Sequence, residues 1–141
     1  MDIAHILLVE DNEGDILLTQ EAFRERKIVN KLSVVRNGGD AVDFLFKEGQ
    51  FAEAERPDLI LLDLNLPVKS GIEVLQMLKS RKETRKIPII VLTTSSSQKD
   101  IDKAYFHHAN SYITKPLDLE EFMQAIFKIE EFWIQLIKHP E

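Results

Sequence analysis

Pro57-Asp58-Leu59-Ile60-Leu61-Leu62-Asp63-Leu64-Asn65-Leu66-Pro67 is the stretch that decides the fold. Leu59 to Leu62 is a continuous apolar run bounded by charge, with a proline further out on each side. A run this short, with such flanks, reads as a strand buried on both faces of a parallel sheet. Asp63 stands where the run stops. A carboxylate at the carboxyl end of a buried strand is costly unless something compensates its charge. In open α/β sheets that edge is also where ligands bind. Pro67 and Gly71 then turn the chain toward a helix. The plainer alternative makes Asp63 a turn or capping residue, a common use of aspartate.

Upstream, His5 to Val9 reads as a first strand and Asp15 to Lys27 as a helix with Ile16, Leu17, Ala22 and Phe23 among its apolar positions. Lys31 to Arg36 is a weaker strand nearer the sheet edge. Asn37-Gly38-Gly39-Asp40 turns into a second helix carrying Ala41, Leu45 and Phe46. Lys47 to Arg56 is polar and reads as a helix extension or a loop. Downstream, Ile72, Val74, Leu75 and Leu78 mark a third helix, and Ile87 to Thr93 a fourth strand. Ser95 to Gln98 opens a fourth helix. Tyr112 to Lys115 is a short last strand closed by Pro116, and Asp118 to Lys138 a long final helix. Strands alternating with helices give βαβ units and a parallel sheet. Right-handed crossovers then yield an α/β fold, the flavodoxin-like doubly wound (βα)5 sandwich with sheet order 2-1-3-4-5. The expected organisation is one domain over residues 1–141 with an extended C-terminal helix at about 118–138.

With 141 residues, 44% hydrophobic and 30% charged, the chain is large enough for one real core. Its formal net charge of −6 argues against nucleic acid as a primary partner. It has no cysteine, hence no disulfide framework and no thiolate metal site. The N-terminus lacks the basic and apolar regions of a signal peptide, and no apolar run approaches the ~20 residues of a membrane span. The expectation is a cytoplasmic protein with no membrane segment.

The strand ends carry the chemistry. The first strand ends at Glu10-Asp11, the third at Asp63, the fourth at Thr93 and the fifth at Lys115. In the order 2-1-3-4-5 these groups converge on one sheet edge. Each has a plain alternative. Acidic residues cap helices and suit their dipoles, but Asn12, Glu13 and Asp15 are placed for that task and leave Glu10-Asp11 surplus. Thr93 alone is an ordinary strand residue, and Lys115 alone a solvated one. Together they are harder to dismiss. Clustered carboxylates resist ionising, and a hard divalent cation such as Mg2+ relieves that. A carboxylate can act as nucleophile and form an aspartyl phosphate, with metal and lysine offsetting charge on the transferring group. No Walker-type glycine loop is present.

Leu7-Leu8-Val9-Glu10-Asp11-Asn12, Leu61-Leu62-Asp63-Leu64-Asn65-Leu66-Pro67 with Gly71, Ile90-Val91-Leu92-Thr93-Thr94 and Tyr112-Ile113-Thr114-Lys115-Pro116 resemble the receiver domain of two-component response regulators, in order and spacing over nearly the whole chain. Glu10-Asp11-Asn12-Glu13-Gly14-Asp15, Asp63 to Pro67 and Val91 to Ser95 also resemble the small stand-alone regulators paired with cyanobacterial phytochromes. The resemblance implies that Asp63 accepts a phosphoryl group from a histidine kinase, with a phytochrome as the implied kinase, and that signalling goes through partners or onward phosphorelay. It implies that Asp11, Asp63 and the backbone carbonyl of Asn65 bind Mg2+, with Glu10 in support partly through water. Thr93 is the implied switch hydroxyl, Tyr112 the aromatic switch, and Lys115 the partner of the phosphoryl group. The Lys115-Pro116 peptide is implied to be cis. Asn65 and Ser95 fall where the family varies and tune dephosphorylation.

The C-terminus departs from a minimal receiver. Phe122, Ala125, Ile126, Ile129, Phe132, Trp133, Leu136 and Ile137 form a helical apolar stripe, with Met123, Phe127 and Ile134 as a second row. The inner part packs on the sheet. Phe132, Trp133, Leu136 and Ile137 extend further than one domain needs, and such a patch marks an interface. The expectation is a homodimer through the last helix and the fourth-helix/fifth-strand face; a folded-back helix or a kinase or effector contact are the alternatives. His107 and His108 read as a solvated helix end rather than a metal or relay site. The rival function is a phosphorylation-independent scaffold or binding module on the same fold, which the intact Asp63, Thr93 and Lys115 argue against. A small hydrolase is the third reading; it lacks a general acid-base partner for Asp63.

Overall fold

A computed structural model describes residues 4–26 and 29–138, with side chains over 5–25 and 31–132. The elements are β1 (Ala4–Val9), α1 (Glu13–Arg26), β2 (Val29–Val35), α2 (Gly38–Leu45), β3 (Leu59–Leu62), α3 (Gly71–Ser80), β4 (Ile89–Thr93), α4 (Gln98–Phe106), β5 (Ser111–Thr114) and α5 (Leu119–Lys138). The sheet is parallel throughout, in the order β2-β1-β3-β4-β5. This is the expected flavodoxin-like arrangement.

Pleat parity divides the central strands between two cores. Leu7, Val9, Ile60, Leu62, Ile89 and Val91 pack with Val74, Leu75 and Leu78 of α3 and Phe44 and Leu45 of α2. Ile6, Leu8, Leu59, Leu61, Ile90 and Leu92 pack with Phe23 of α1 and Phe122, Ile126 and Ile129 of α5. All four residues of β3 are fully buried, which explains why its sequence is unbroken apolar rather than alternating. Each such side chain contributes about 1.5–3 kcal/mol by leaving water.

Local chemistry sets the element ends. Ser70 and Glu73 form a reciprocal capping box at the start of α3. The Asn37 side chain accepts from the amide of Asp40 to open α2. Helix α4 starts at Gln98, not at Ser95, because Ser97 is its cap and accepts from the amide of Asp100. The ambiguous stretch from Lys47 to Arg56 forms neither a continued helix nor a plain loop. A single 3-10 turn at Gly49–Phe51 occupies it, with Phe51 5.4 Å from the Phe44 ring. Strand β4 begins only after Pro88, whose carbonyl accepts from the Ile60 amide.

Helix α5 runs to Lys138, as its apolar period indicated. Phe132 is half-buried against the α1/α5 core. The side chains of Trp133, Leu136 and Ile137 lie outside the described residues. One expectation is corrected: among the described residues every peptide bond is trans, Lys115-Pro116 included. The gap between the isomers of an X-Pro bond is only about 0.5–1 kcal/mol, so neighbouring contacts decide it. Here the Lys115 amide donates to the Thr93 carbonyl at 2.6 Å and extends the ladder one residue past β5.

His5, at the opposite end of β1 from the acidic groups, is buried and bonded through Nε2 to Ser33 Oγ at 2.9 Å. Burial, then the charge of Lys31, pushes its pKa below the ordinary value; the Arg56 backbone and the charges of Glu55 and Asp58 oppose without prevailing. A histidine lowered in this way favours the folded state fully above the unfolded value of about 6.5, and that contribution is lost as pH falls through the folded pKa. The wild type is therefore expected to lose more melting temperature than His5→Gln between about pH 7.5 and about pH 5.5, as read by thermal denaturation of the two proteins in parallel.

Candidate functional site

Glu10 and Asp63 follow directly on β1 and β3, and those neighbouring strands bring both to one edge. The carboxylate oxygens of Glu10, Asp11 and Asp63 lie within 4.8 Å of one another. Glu10 is 2% exposed and Asp63 6% exposed, while Asp11 faces solvent. Lys115, 7% exposed, closes the group from beyond β5. Its Nζ donates to Glu10 Oε1 at 2.5 Å, to Asp15 Oδ2 at 2.9 Å and to Asp63 Oδ2 at 3.4 Å. Backbone amides complete the carboxylates' bonding: Asn12 N–H donates to Glu10 Oε2 at 3.1 Å and Asn65 N–H to Asp63 Oδ1 at 3.3 Å.

The electrostatics follow from burial against pairing. Burial raises the Glu10 carboxyl to about 7; the charge of Asp63 adds to the rise, and Lys115 and the Asn12 amide restrain it. Burial works against the Lys115 ammonium. Its hydrogen bonds to Glu10 and Asp15 and the charge of Asp63 outweigh that and hold its pKa above the ordinary value. Three carboxylates contact one ammonium and Asp11 adds a fourth negative group beside them, an imbalance that a hard cation with oxygen ligands would correct. The donor set is all oxygen and one of the three clustered groups is open to solvent, so these residues fit Mg2+ chemically.

The loop after Asp63 is fixed by two close approaches. A Cβ on Gly71 would sit 2.3 Å from the Asp63 carbonyl oxygen, and one on Gly38 only 2.0 Å from that of Lys69. The Pro67 carbonyl accepts from both Gly38 N–H at 3.1 Å and Lys69 N–H at 2.9 Å. Between them Val68 is held at φ 72°, a conformation that a β-branched residue adopts only under constraint. The Asn65 carbonyl belongs to this anchored loop.

On the other side of the site Thr93 is fully buried at the end of β4. Its Oγ1 accepts from the Ser95 amide at 3.4 Å. Ser95 Oγ donates to Asp100 Oδ2 at 2.6 Å, and the Tyr112 hydroxyl donates to the Ser95 carbonyl at 2.8 Å. Burial, with the charges of Asp100 and Asp63, raises the Tyr112 pKa and keeps the hydroxyl a neutral donor. Thr93 and Tyr112 are therefore joined through one residue. His107 and His108 are remote from this edge, and His107 Nε2 lies 3.1 Å from Gln76 Nε2. Asp15 is the group that reading strand ends overlooked. It stands one turn beyond Asp11 in the first turn of α1, a helical spacing that was visible but read as capping.

A parallel 2-1-3-4-5 sheet with this acidic cluster, buried lysine and strand-end threonine defines a class, and comparison with known proteins agrees. Residues 6–127 match the family model of the response regulator receiver domain, and the chain belongs to that family. It is 41% identical over 135 residues to Response regulator Rcp1 of Synechocystis sp., an alignment covering 96% of this chain and 92% of Rcp1. Among solved structures it resembles the phosphorylated cyanobacterial phytochrome response regulator RcpA, with TM-score 0.91 and 47% identity over 94% of this chain and 95% of that one. It also resembles the Mn(2+)-bound form of Rcp1, with TM-score 0.89 and 42% identity over 92% and 94% of the two chains.

Removing Lys115 strands buried carboxylates without a cation. Lys115→Met is expected to lower unfolding free energy by about 3 kcal/mol, the usual cost of breaking a buried pair from one side. Urea denaturation at neutral pH without divalent metal measures it.

Proposed function

We propose that the chain is a phosphoacceptor switch in which Asp63 takes a phosphoryl group from a histidine kinase with Mg2+ bound. The observation that carries this reading is the Lys115 ammonium set among Glu10 and Asp63, with Asp11 completing a three-carboxylate cluster beside it. Asp63 is the nucleophile. Its carboxylate oxygen attacks phosphorus, an acyl–phosphate P–O bond forms, the donor's P–N bond breaks, and the leaving imidazole takes up a proton. Asp11, Asp63 and the Asn65 carbonyl hold the metal and Glu10 supports it, while Lys115 balances charge on the phosphoryl oxygens. Bound Mg2+ supplies charge neutralisation at the transferring group.

Thr93 and Tyr112 serve as the switch. Their shared tie through Ser95 supports the idea that displacement of the Thr93 hydroxyl alters the hydrogen bond of Tyr112. Phosphorylation and dephosphorylation are self-catalysed on this reading, and the protein acts in signalling rather than as a metabolic enzyme. Likeness to RcpA, a cyanobacterial phytochrome response regulator 47% identical to this chain, supports a phytochrome as the kinase. On this reading the receiver domain signals through partners or onward phosphorelay. The reach of α5 to Lys138, past the span of the family match, supports a homodimer through that helix and the α4/β5 face. Among the described residues no helix is long and apolar enough to cross a membrane.

Incubation with acetyl phosphate and Mg2+, followed by intact mass and light scattering, tests both parts. A one-phosphoryl mass gain is expected in the wild type and not in Asp63→Asn, with a dimer in solution. A folded, Mg2+-binding protein that gains no mass would mark a receiver specialised for its own kinase, and neither gain nor binding would favour a phosphorylation-independent scaffold. Mg2+ should also raise the melting temperature, since it binds the folded site alone. Metal at a hundredfold excess over its Kd stabilises by about 2.7 kcal/mol. Asp11→Ala is expected to abolish that shift while keeping the fold, because its side chain is exposed.

A further inference from the structure

The Lys115 ammonium has three protons, and each faces a different carboxylate. The contacts are unequal. Those to Glu10 and Asp15, at 2.5 and 2.9 Å, lie within or below the range of charge-assisted bonds, and that to Asp63 is stretched to 3.4 Å. The two nearer partners both belong to the β1–α1 segment, so they draw the ammonium away from Asp63. Asp15 is anchored for this: it lies in the first turn of α1, where the helix dipole favours negative charge, and its amide donates to the Asn12 side chain at 2.9 Å.

Resting on the phosphoacceptor reading above, we propose that Asp15 is a positioning residue that withholds the Lys115 ammonium from Asp63 and competes with a phosphoryl group for it. A phosphoryl group on Asp63 adds negative charge on the far side of Lys115 and pulls the ammonium toward it. One existing contact must then yield, and burial decides which. The Glu10 side chain is 3% exposed and is shut off from bulk solvent if the ammonium leaves. The Asp15 side chain is 24% exposed and lines an open cavity of about 290 Å³ together with Lys115, Leu117 and Asp118. It alone can exchange the ammonium for solvent at low cost. Asp15 therefore sets how strongly the site holds a phosphoryl group, acting through Lys115 rather than on the reacting atoms.

The test titrates the full chain with beryllofluoride, a phosphoryl mimic, at saturating Mg2+, followed by 19F NMR. Asp15→Asn and Asp15→Ala are expected to bind it about three- to tenfold more tightly than wild type, the scale of one partly exposed charge contact. Asp118→Asn is the control. It removes a charge from the same cavity without touching Lys115, and keeps a capping side chain for the Glu121 amide. Its affinity should change less than about twofold. Unchanged or weaker binding in both Asp15 variants, with melting curves showing them folded, would overturn the proposal. So would equal tightening in Asp118→Asn, which would reduce the effect to bulk charge. No beryllofluoride binding in the wild type would instead overturn the phosphoacceptor reading itself.

Discussion

One ammonium in an acidic pocket organises this molecule. Lys115 is reached only if β5 lies beside β4, Glu10 only if β1 adjoins β3, and Asp15 only if α1 starts close behind Asp11. The contacts of Lys115 span sequence separations of 105, 100 and 52 residues. No local element could assemble them. The cost of placing charge there is met by the two apolar cores beneath, whose strands are buried on both faces. Hydrophobic burial supplies the free energy, and the polar edge spends part of it on an arrangement that is under-neutralised by design of its charge count. Such a site holds more negative charge than its one ammonium offsets, an excess that a bound cation relieves.

The two loops flanking Asp63 differ in how they are held. The β3–α3 loop is locked by backbone contacts at Gly38 and Gly71 that no side chain would permit. Its strained Val68 persists because both neighbours are fixed. The β4–α4 loop is tied instead by side-chain hydrogen bonds through Ser95, and helix α4 behind it buries Ala104 alone. A net hydrogen bond is worth about 0.5–1.5 kcal/mol, so these ties can exchange at modest cost. The rigid loop follows Asp63 and contains the Asn65 carbonyl; the loosely tied one follows Thr93 and is bonded to Tyr112 of β5. That division lets the same edge be precise on one side and responsive on the other.

Much of this was legible in the sequence because the sheet reduces chemistry to strand ends. Leu59 to Leu62 announced a doubly buried strand, and the alternation of strands with helices placed Glu10, Asp63, Thr93 and Lys115 on one edge. What escaped did so for physical reasons. Asp15 projects from a helix, and its spacing from Asp11 satisfied a capping rule that left no remainder to explain. The Ser95–Asp100 bond depends on α4 starting three residues later than its serine-rich opening implied. The positive φ of Val68 is imposed by tertiary contact with α2, and valine is among the residues least expected there. The isomer of Lys115-Pro116 turns on an energy gap too small for sequence to decide.

Asp15 also shows how burial ranks competing contacts. By distance, Glu10 and Asp15 both bind Lys115 more closely than Asp63 does. By exposure, only Asp15 can release it without leaving a charge stranded in the protein interior. A cluster of like charges around one cation is thus not a set of equivalent partners: the buried Glu10 fixes where the cation resides, the more exposed Asp15 fixes how easily it moves, and Asp63 receives what the other two concede. The hierarchy arises because Glu10 ends a central strand and Asp15 begins a surface helix, so the fold that gathers the charges also grades them.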